Sequence, residues 1–134
     1  MANIVLNGDF QIPLLESGLD LQYDAMSPQQ ASDFIWTGTN NTYLNNDTGY
    51  FDYPTPPTGI SSQYVNFQFN SLLYQSINVS TKGKYALTLY HCRRPTKTVA
   101  GLDIILNEVL VATIPGDIPE TWTLFRIHEQ GIKY

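Results

Sequence analysis

The residues best suited to chemistry in this chain include tyrosines in two stretches rich in turn-forming residues. Tyr43 lies in an Asn- and Thr-rich stretch over 39–48, whereas Tyr50, Phe51 and Tyr53 lie beside a run of prolines. An exposed aromatic face can stack on a sugar ring while neighbouring amide or carboxylate groups bind the hydroxyls of the sugar. The alternative is that these aromatic side chains pack the long loops onto the body of the domain.

A short basic segment follows the clearest strand pattern of the chain. His91, Arg93 and Arg94 could present donors to sugar hydroxyls, to the carboxylates of sialic-type sugars or to acidic groups of a protein partner. The alternative is a solvated bend that balances an acidic chain. Cys92 is interpreted as a small buried residue, because no Cys-His-Asn spacing accompanies it. The predicted ligand-binding residues are Tyr43, Tyr50, Tyr53, His91, Arg93 and Arg94.

Catalysis is not expected from this sequence. His91 and His128 are the only histidines, and no nucleophile-elbow, zinc-protease or phosphate-loop motif occurs. Two carboxylate pairs could in principle serve glycoside hydrolysis, but their hairpin and Pro-Gly settings favour solvated turn residues. These pairs are Asp103 with Glu108 and Asp117 with Glu120. The chain is therefore predicted not to be an enzyme.

Composition predicts an all-β protein. The 134 residues fit one domain, 1–134, and include nine Tyr, six Phe and two Trp, which favour strands over helices. A net charge of −5 provides no electrostatic footprint for nucleic acid, and the single cysteine excludes an intrachain disulfide framework. Neither a signal peptide nor an apolar run long enough to span a membrane is visible.

Hydrophobic periodicity predicts about eight strands. The clearest covers 84–91, where Tyr85, Leu87 and Leu89 share one face, and 102–106 with 109–114 flanks a two-residue turn, Asn107-Glu108. The stretches over 13–33 and 39–48 are predicted to be mainly loop, and 54–59 is predicted to lie at a rim because its prolines cannot donate to a sheet. Further strands are predicted at 3–6, around 19–23, at 32–37, at 64–69 and 71–79 as a meander, and at 122–128. Trp36 and Trp122 are predicted to be core residues.

Several short motifs, taken in order, resemble the galactose-binding-domain-like jelly rolls, which include many carbohydrate-binding modules. They are the segments 7–10 (NGDF), 35–37 (IWT), 74–79 (YQSINV), 83–87 (GKYAL), 106–109 (LNEV) and 122–123 (WT). The resemblance implies an antiparallel β-sandwich of jelly-roll topology, and the bend at 92–95 resembles versions of this module in virion proteins. The resemblance of these motifs is stronger evidence for the fold than for the identity of the ligand.

The resemblance also bears on calcium and on assembly. Gln11 occupies the position at which family members often carry an acidic ligand of structural calcium, and a neutral amide is a weaker ligand for a hard cation. No cofactor is therefore expected, and Asp9 and Asp103 remain the only ligands suggested for calcium. The segment 130–134 resembles the start of a strand that the chain does not finish, which would leave a sheet edge for another chain.

The sequence therefore predicts a non-catalytic carbohydrate-binding module, located extracellularly or on a virion surface. The alternative is a structural assembly protein, such as a minor capsid, spike or surface-layer component, that docks through sheet edges and loops. The expected partners are a glycan or neighbouring protein subunits.

Overall fold

The computed structural model describes residues 4–39, 41–46, 53–57, 59, 61–68, 70–79, 83–94, 101–117 and 119–132, without the side chains of 128–132. Within these ranges all strand pairs are antiparallel, which confirms the predicted all-β fold class. The elements are β1 (Asp20–Gln22), a 3₁₀ helix (Tyr23–Ala25), α1 (Pro28–Phe34), β2 (Thr37–Gly38), β3 (Thr42–Asn46), β4 (Gln63–Phe67), β5 (Leu73–Tyr74), β6 (Gly83–His91), β7 (Leu102–Leu106), β8 (Val109–Ile114) and β9 (Thr123–Ile132).

The chain divides into two compact units. The first comprises Met1–Phe51 and Thr55–Asn78, and the second comprises Asp52–Pro54 and Val79–Tyr134. A single domain over 1–134 stays a prediction.

The first unit is built around a buried, polar strand. The sheet order is β1-β3-β4, and β3 is the central strand, so the loop predicted over 39–48 is wrong for its described part. Leu44 is buried in the middle of β3, and the amide of Asn46 donates to the carbonyl of Leu15 at 2.6 Å. Buried polar side chains are stable in a sheet when such partners satisfy them, and local composition does not reveal those partners.

The predicted strand over 3–6 is not present in its described part. Leu6 to Asp9 form a turn, and Asn7 has a positive φ of 47°. The Asn7 side chain donates to the carbonyls of Ile12 and Phe34 at 2.7 and 2.9 Å and accepts from the Ile12 N–H at 3.1 Å. Asn tolerates the left-handed region and bonds local backbone, so the Asn-Gly-Asp turn predicted to follow this strand is present, whereas the strand itself is not.

A helix replaces part of the predicted loop over 13–33 and of the predicted strand over 32–37. Helix α1 begins with a capping box, in which Ser27 Oγ accepts from the Gln30 N–H and the Gln30 side chain accepts from the Ser27 N–H. Pro28 at the first helical position has the φ that a helix start requires. The helix ends at Phe34, and the residue that follows it, Ile35, has a φ of 72°.

The predicted meander of 64–69 with 71–79 is also wrong. The first run forms β4, but the second contributes only the two residues of β5, and β5 pairs with β2 instead of β4. Between the two strands, the Ser71 N–H donates to the Gln68 carbonyl at 3.2 Å.

The second unit contains two antiparallel strand pairs, β6 with β9 and β7 with β8. They pack through a core of Ile104, Ile114 and Ile127. Asn107 and Glu108 have φ values of 49° and 66°, as a type I′ turn requires, so the predicted hairpin is confirmed. The predicted alternation of β6 is confirmed as well, and the segment predicted to begin an unfinished strand continues β9 to Ile132.

Candidate functional site

The structure places four of the six predicted ligand-binding residues in the second unit. His91 ends β6, and Arg93 and Arg94 follow it, while Tyr53 belongs to the short segment Asp52–Pro54 of the same unit. Tyr50 lies outside the described residues. Tyr43 lies in β3 of the first unit, opposite Gln22 and Asn66, so its predicted place on a surface loop is wrong. The ligand-binding role of these residues stays a prediction.

An ion pair joins the end of β6 to the residues before β9. Arg93 Nη2 lies 2.9 Å from Glu120 Oε1, and the Arg93 N–H donates to the Pro119 carbonyl at 3.1 Å. Both side chains are partly exposed. Antiparallel pairing of His91 with Thr123 places the segment before β9 beside the residues after β6. A guanidinium and a carboxylate therefore lie side by side where solvent reaches them.

An aromatic pair lies in the same region. The rings of Tyr53 and Trp122 have centroids 6.4 Å apart and are tilted by 38°, and Trp122 Nε1 donates to the Pro54 carbonyl at 2.7 Å. Burial raises the pKa of Tyr53 to about 12, with Cys92 raising it further and Arg94 opposing the rise. The phenol is therefore protonated at neutral pH. Trp122 is half-buried. We call Tyr53, His91, Arg93, Arg94, Glu120 and Trp122 the Tyr53 cluster.

His91 contributes a neutral imidazole to the Tyr53 cluster. Its ring meets that of Phe125 edge-on, with centroids 6.2 Å apart, and burial lowers the pKa of His91 below its usual value of 6.5. His91 Nδ1 is buried and has no hydrogen-bond partner within the described ranges. A neutral imidazole both donates and accepts hydrogen bonds, which suits a hydroxyl better than it suits an anion.

Cys92 is expected to react slowly with thiol reagents. Burial, with a smaller effect of Glu120, raises its pKa to about 11, and Sγ donates to the Arg93 carbonyl at 3.5 Å. The thiolate fraction at pH 8 falls about 100-fold, and the greater nucleophilicity of a more basic thiolate offsets part of this, so we expect a rate about tenfold lower than in denaturant. Ellman's reagent measures both rates, and equal rates would contradict a shielded thiol.

The first unit also contains a shallow cleft that sequence reasoning missed. Its volume is about 430 Å³, within the usual range for small-ligand sites, and its surface combines proline rings with amide and hydroxyl groups. The lining residues are Gln11, Thr55, Pro56, Pro57, Gly59, Ser61 and Ser62. The Gln11 amide donates to Ser61 Oγ, so its side chain makes a neutral hydrogen bond here. The prolines in 54–59 were the only sequence signal for this cleft, and prolines alone indicate a position at the rim of a sheet and no binding site.

Three of the acidic residues considered for catalysis or calcium have specific contacts. Asp103 accepts from the hydroxyl of Thr113 at 2.9 Å, Glu120 pairs with Arg93, and Asp9 accepts from the Gln11 N–H at 3.3 Å. Across the described parts of the chain, no three His, Cys, Asp or Glu residues are grouped as metal ligands would be. The same parts include no helix with the length and apolar character needed to cross a membrane. The predictions about catalysis and calcium stay predictions.

The two tryptophans have defined packing roles. Trp36 is half-buried, lies against Phe10 with ring centroids 5.5 Å apart, and donates from Nε1 to the Asn7 carbonyl at 3.0 Å. Trp122 is half-buried as well. Each indole therefore packs against another ring and uses its only donor within its own unit, which leaves part of each ring exposed.

Comparisons with known proteins identify no relative. No protein-family model, curated protein or solved structure matches the chain significantly.

Proposed function

We propose that this protein is a non-catalytic carbohydrate-binding module of galactose-binding-like, jelly-roll type that acts extracellularly or on a virion surface. The observation that carries the proposal is the Tyr53 cluster, in which an aromatic pair lies in the same region as a partly exposed arginine–glutamate pair. Sugar recognition needs these two components, an apolar ring face and planar polar groups in fixed positions.

The charges of the Tyr53 cluster favour sugar hydroxyls as its ligand groups. The charge of Arg93 is balanced by Glu120, the side chains of His91 and Tyr53 are neutral at pH 7, and Arg94 adds one further positive charge. A paired guanidinium and carboxylate offer donors and acceptors together, which matches neighbouring hydroxyls that both donate and accept. The proposed ligand is therefore a neutral or weakly charged glycan that stacks on the exposed part of Trp122.

The proposal is tested by titrating a panel of soluble neutral and acidic polysaccharides by affinity electrophoresis and calorimetry. Arg94→Gln is expected to weaken binding about tenfold or more, since a hydrogen bond to a charged group contributes about 1.5–3 kcal/mol. Arg126→Gln is the matched control, because Arg126 is an exposed arginine on β9 that does not belong to the Tyr53 cluster. Absence of binding to every glycan, or equal losses in both variants, would reject the proposal.

A second candidate function, a structural assembly protein, is favoured by the tip of the β7–β8 hairpin. Ile105, Val109 and Leu110 are all more than half exposed there. Neighbouring exposed apolar side chains of this kind are common at protein–protein contacts. The oligomeric state of the protein over a range of concentrations tests this second function.

A further inference from the structure

Charge is distributed unevenly along this chain. All seven Lys and Arg residues lie after residue 81, whereas seven of the twelve Asp and Glu residues lie before it. The net charge is therefore −7 for the first 81 residues and +2 for the remaining 53, which together give the −5 of the whole chain. Two parts of opposite net charge on one chain allow one copy to attract another electrostatically.

Two of the basic residues lie on one exposed sheet face. Alternation along β6 and the pairing of Thr88 with Arg126 and Tyr90 with Leu124 place one set of side chains on the same side of the β6–β9 pair. The opposite side carries Leu87, Leu89, Phe125 and Ile127, which pack against the β7–β8 core. We call the exposed set the outer face. It consists of Lys84, Ala86, Thr88, Tyr90, Leu124 and Arg126.

The outer face combines positive charge with exposed apolar surface. Tyr90 is 38% exposed and Leu124 is 53% exposed. None of the described side chains on this face is acidic. The six residue steps from Lys84 to Tyr90 extend about 20 Å along the strand. A face with these dimensions and this composition suits an acidic partner that also presents apolar side chains.

The stretch 14–24 of the first unit carries exposed residues of complementary character. Glu16, Asp20 and Asp24 are exposed, and no lysine or arginine occurs anywhere in the first 81 residues. Leu14 and Leu19 in the same stretch are 71% and 50% exposed. Charge and apolar character therefore complement those of the outer face, and a second copy of the chain carries both surfaces.

We propose that the protein associates with itself head to tail, with the outer face of one copy docking on the acidic first unit of the next. Two reciprocal contacts close a dimer, whereas a single contact between the two different surfaces is heterologous and leaves one free surface of each kind on the pair. Such a contact propagates into a closed ring or an open array. The inference does not depend on glycan binding, and it assigns the assembly contact to the outer face instead of the β7–β8 hairpin tip.

The first experiment measures mass by light scattering at increasing protein concentration. The average mass is expected to rise above that of the monomer at about 50 mM NaCl and to fall toward the monomer at about 500 mM NaCl, because exposed charge pairs are screened. A monomer at every concentration in low salt would overturn the proposal. Association that strengthens with salt would also overturn it, since that result indicates a purely apolar contact.

The second experiment uses two neutralised variants. Lys84→Gln with Arg126→Gln removes the charge of the outer face, and Glu16→Gln with Asp20→Asn removes charge from the acidic surface. Each double variant alone is expected to associate at least tenfold more weakly, whereas an equimolar mixture forms a 1:1 pair and nothing larger. Circular dichroism melts establish that both variants are folded.

Leu110→Thr distinguishes the head-to-tail contact from a contact at the hairpin tip, because it changes the exposed tip and leaves both head-to-tail surfaces intact. It is expected to associate like the unmodified protein. Loss of association only in this variant would identify the hairpin as the contact and overturn the head-to-tail arrangement. Glycan titration of the monomeric variants then tests the proposed carbohydrate binding separately.

Discussion

Replacement of Ile104 by alanine is expected to lower the free energy of unfolding of the second unit by about 2–5 kcal/mol. Ile104 is 8% exposed and forms the core with Ile114 and Ile127, so truncation removes buried apolar surface and leaves a cavity between the two strand pairs. Urea denaturation followed by tryptophan fluorescence measures the change, because Trp122 belongs to the same unit.

The neighbouring Ile105 provides the matched control. It is 55% exposed, so Ile105→Ala is expected to change the free energy of unfolding by less than about 1 kcal/mol, mainly through strand propensity. The pairing of β7 with β8 shifts register between Ile104 and Ile105, so the comparison also tests which of the two side chains faces the core. Equal losses for the two variants, or a larger loss for Ile105→Ala, would contradict the register and the assignment of the core.

Replacement of Gln63 by leucine is expected to destabilise the first unit by about 2–4 kcal/mol. Gln63 is 1% exposed, and its side chain accepts from the Leu15 N–H at 2.7 Å and donates to the carbonyls of Phe10 and Pro13. A leucine of similar size removes all three bonds, and each buried group left without a partner costs about 1–3 kcal/mol, reduced where water reaches it. Denaturation measures the loss, and hydrogen exchange of the Leu15 amide should become faster.

Gln68→Leu is the control for this second prediction. Gln68 follows the same strand but its side chain is exposed, so the substitution is expected to change stability by less than about 0.5 kcal/mol. A Gln63→Leu protein as stable as the unmodified one, with unchanged exchange at Leu15, would mean that this side chain does not hold residues 10–15 against β4.

Local patterns predicted the second unit well. The alternation of β6 follows from the two-residue period of a strand, and the Asn107-Glu108 turn follows from its position between two apolar runs. Both signals are carried within about ten residues of sequence. The basic segment after β6 was visible in the same way, since it lies directly beside the strand in the chain.

The first unit was predicted less well because its polar side chains form long-range hydrogen bonds. Gln63 contacts backbone atoms about 50 residues away, and Asn46 contacts Leu15 across 31 residues. An Asn- and Thr-rich stretch with such partners forms the buried strand β3, whereas the same composition without them is typical of a loop. The turn at Asn7 likewise depends on the carbonyl of Phe34, 27 residues away.

The sequence by itself determined the fold class, the β7–β8 hairpin, the alternation of β6 and the location of three basic-segment residues, His91, Arg93 and Arg94. Only the tertiary structure decided that Glu120 pairs with Arg93 and that Trp122 packs against Tyr53. Strand period and turn geometry are properties of neighbouring residues, so a local reading finds them. These partners are separated by 27 residues or more in the chain, and only packing selects them among the acidic and aromatic side chains.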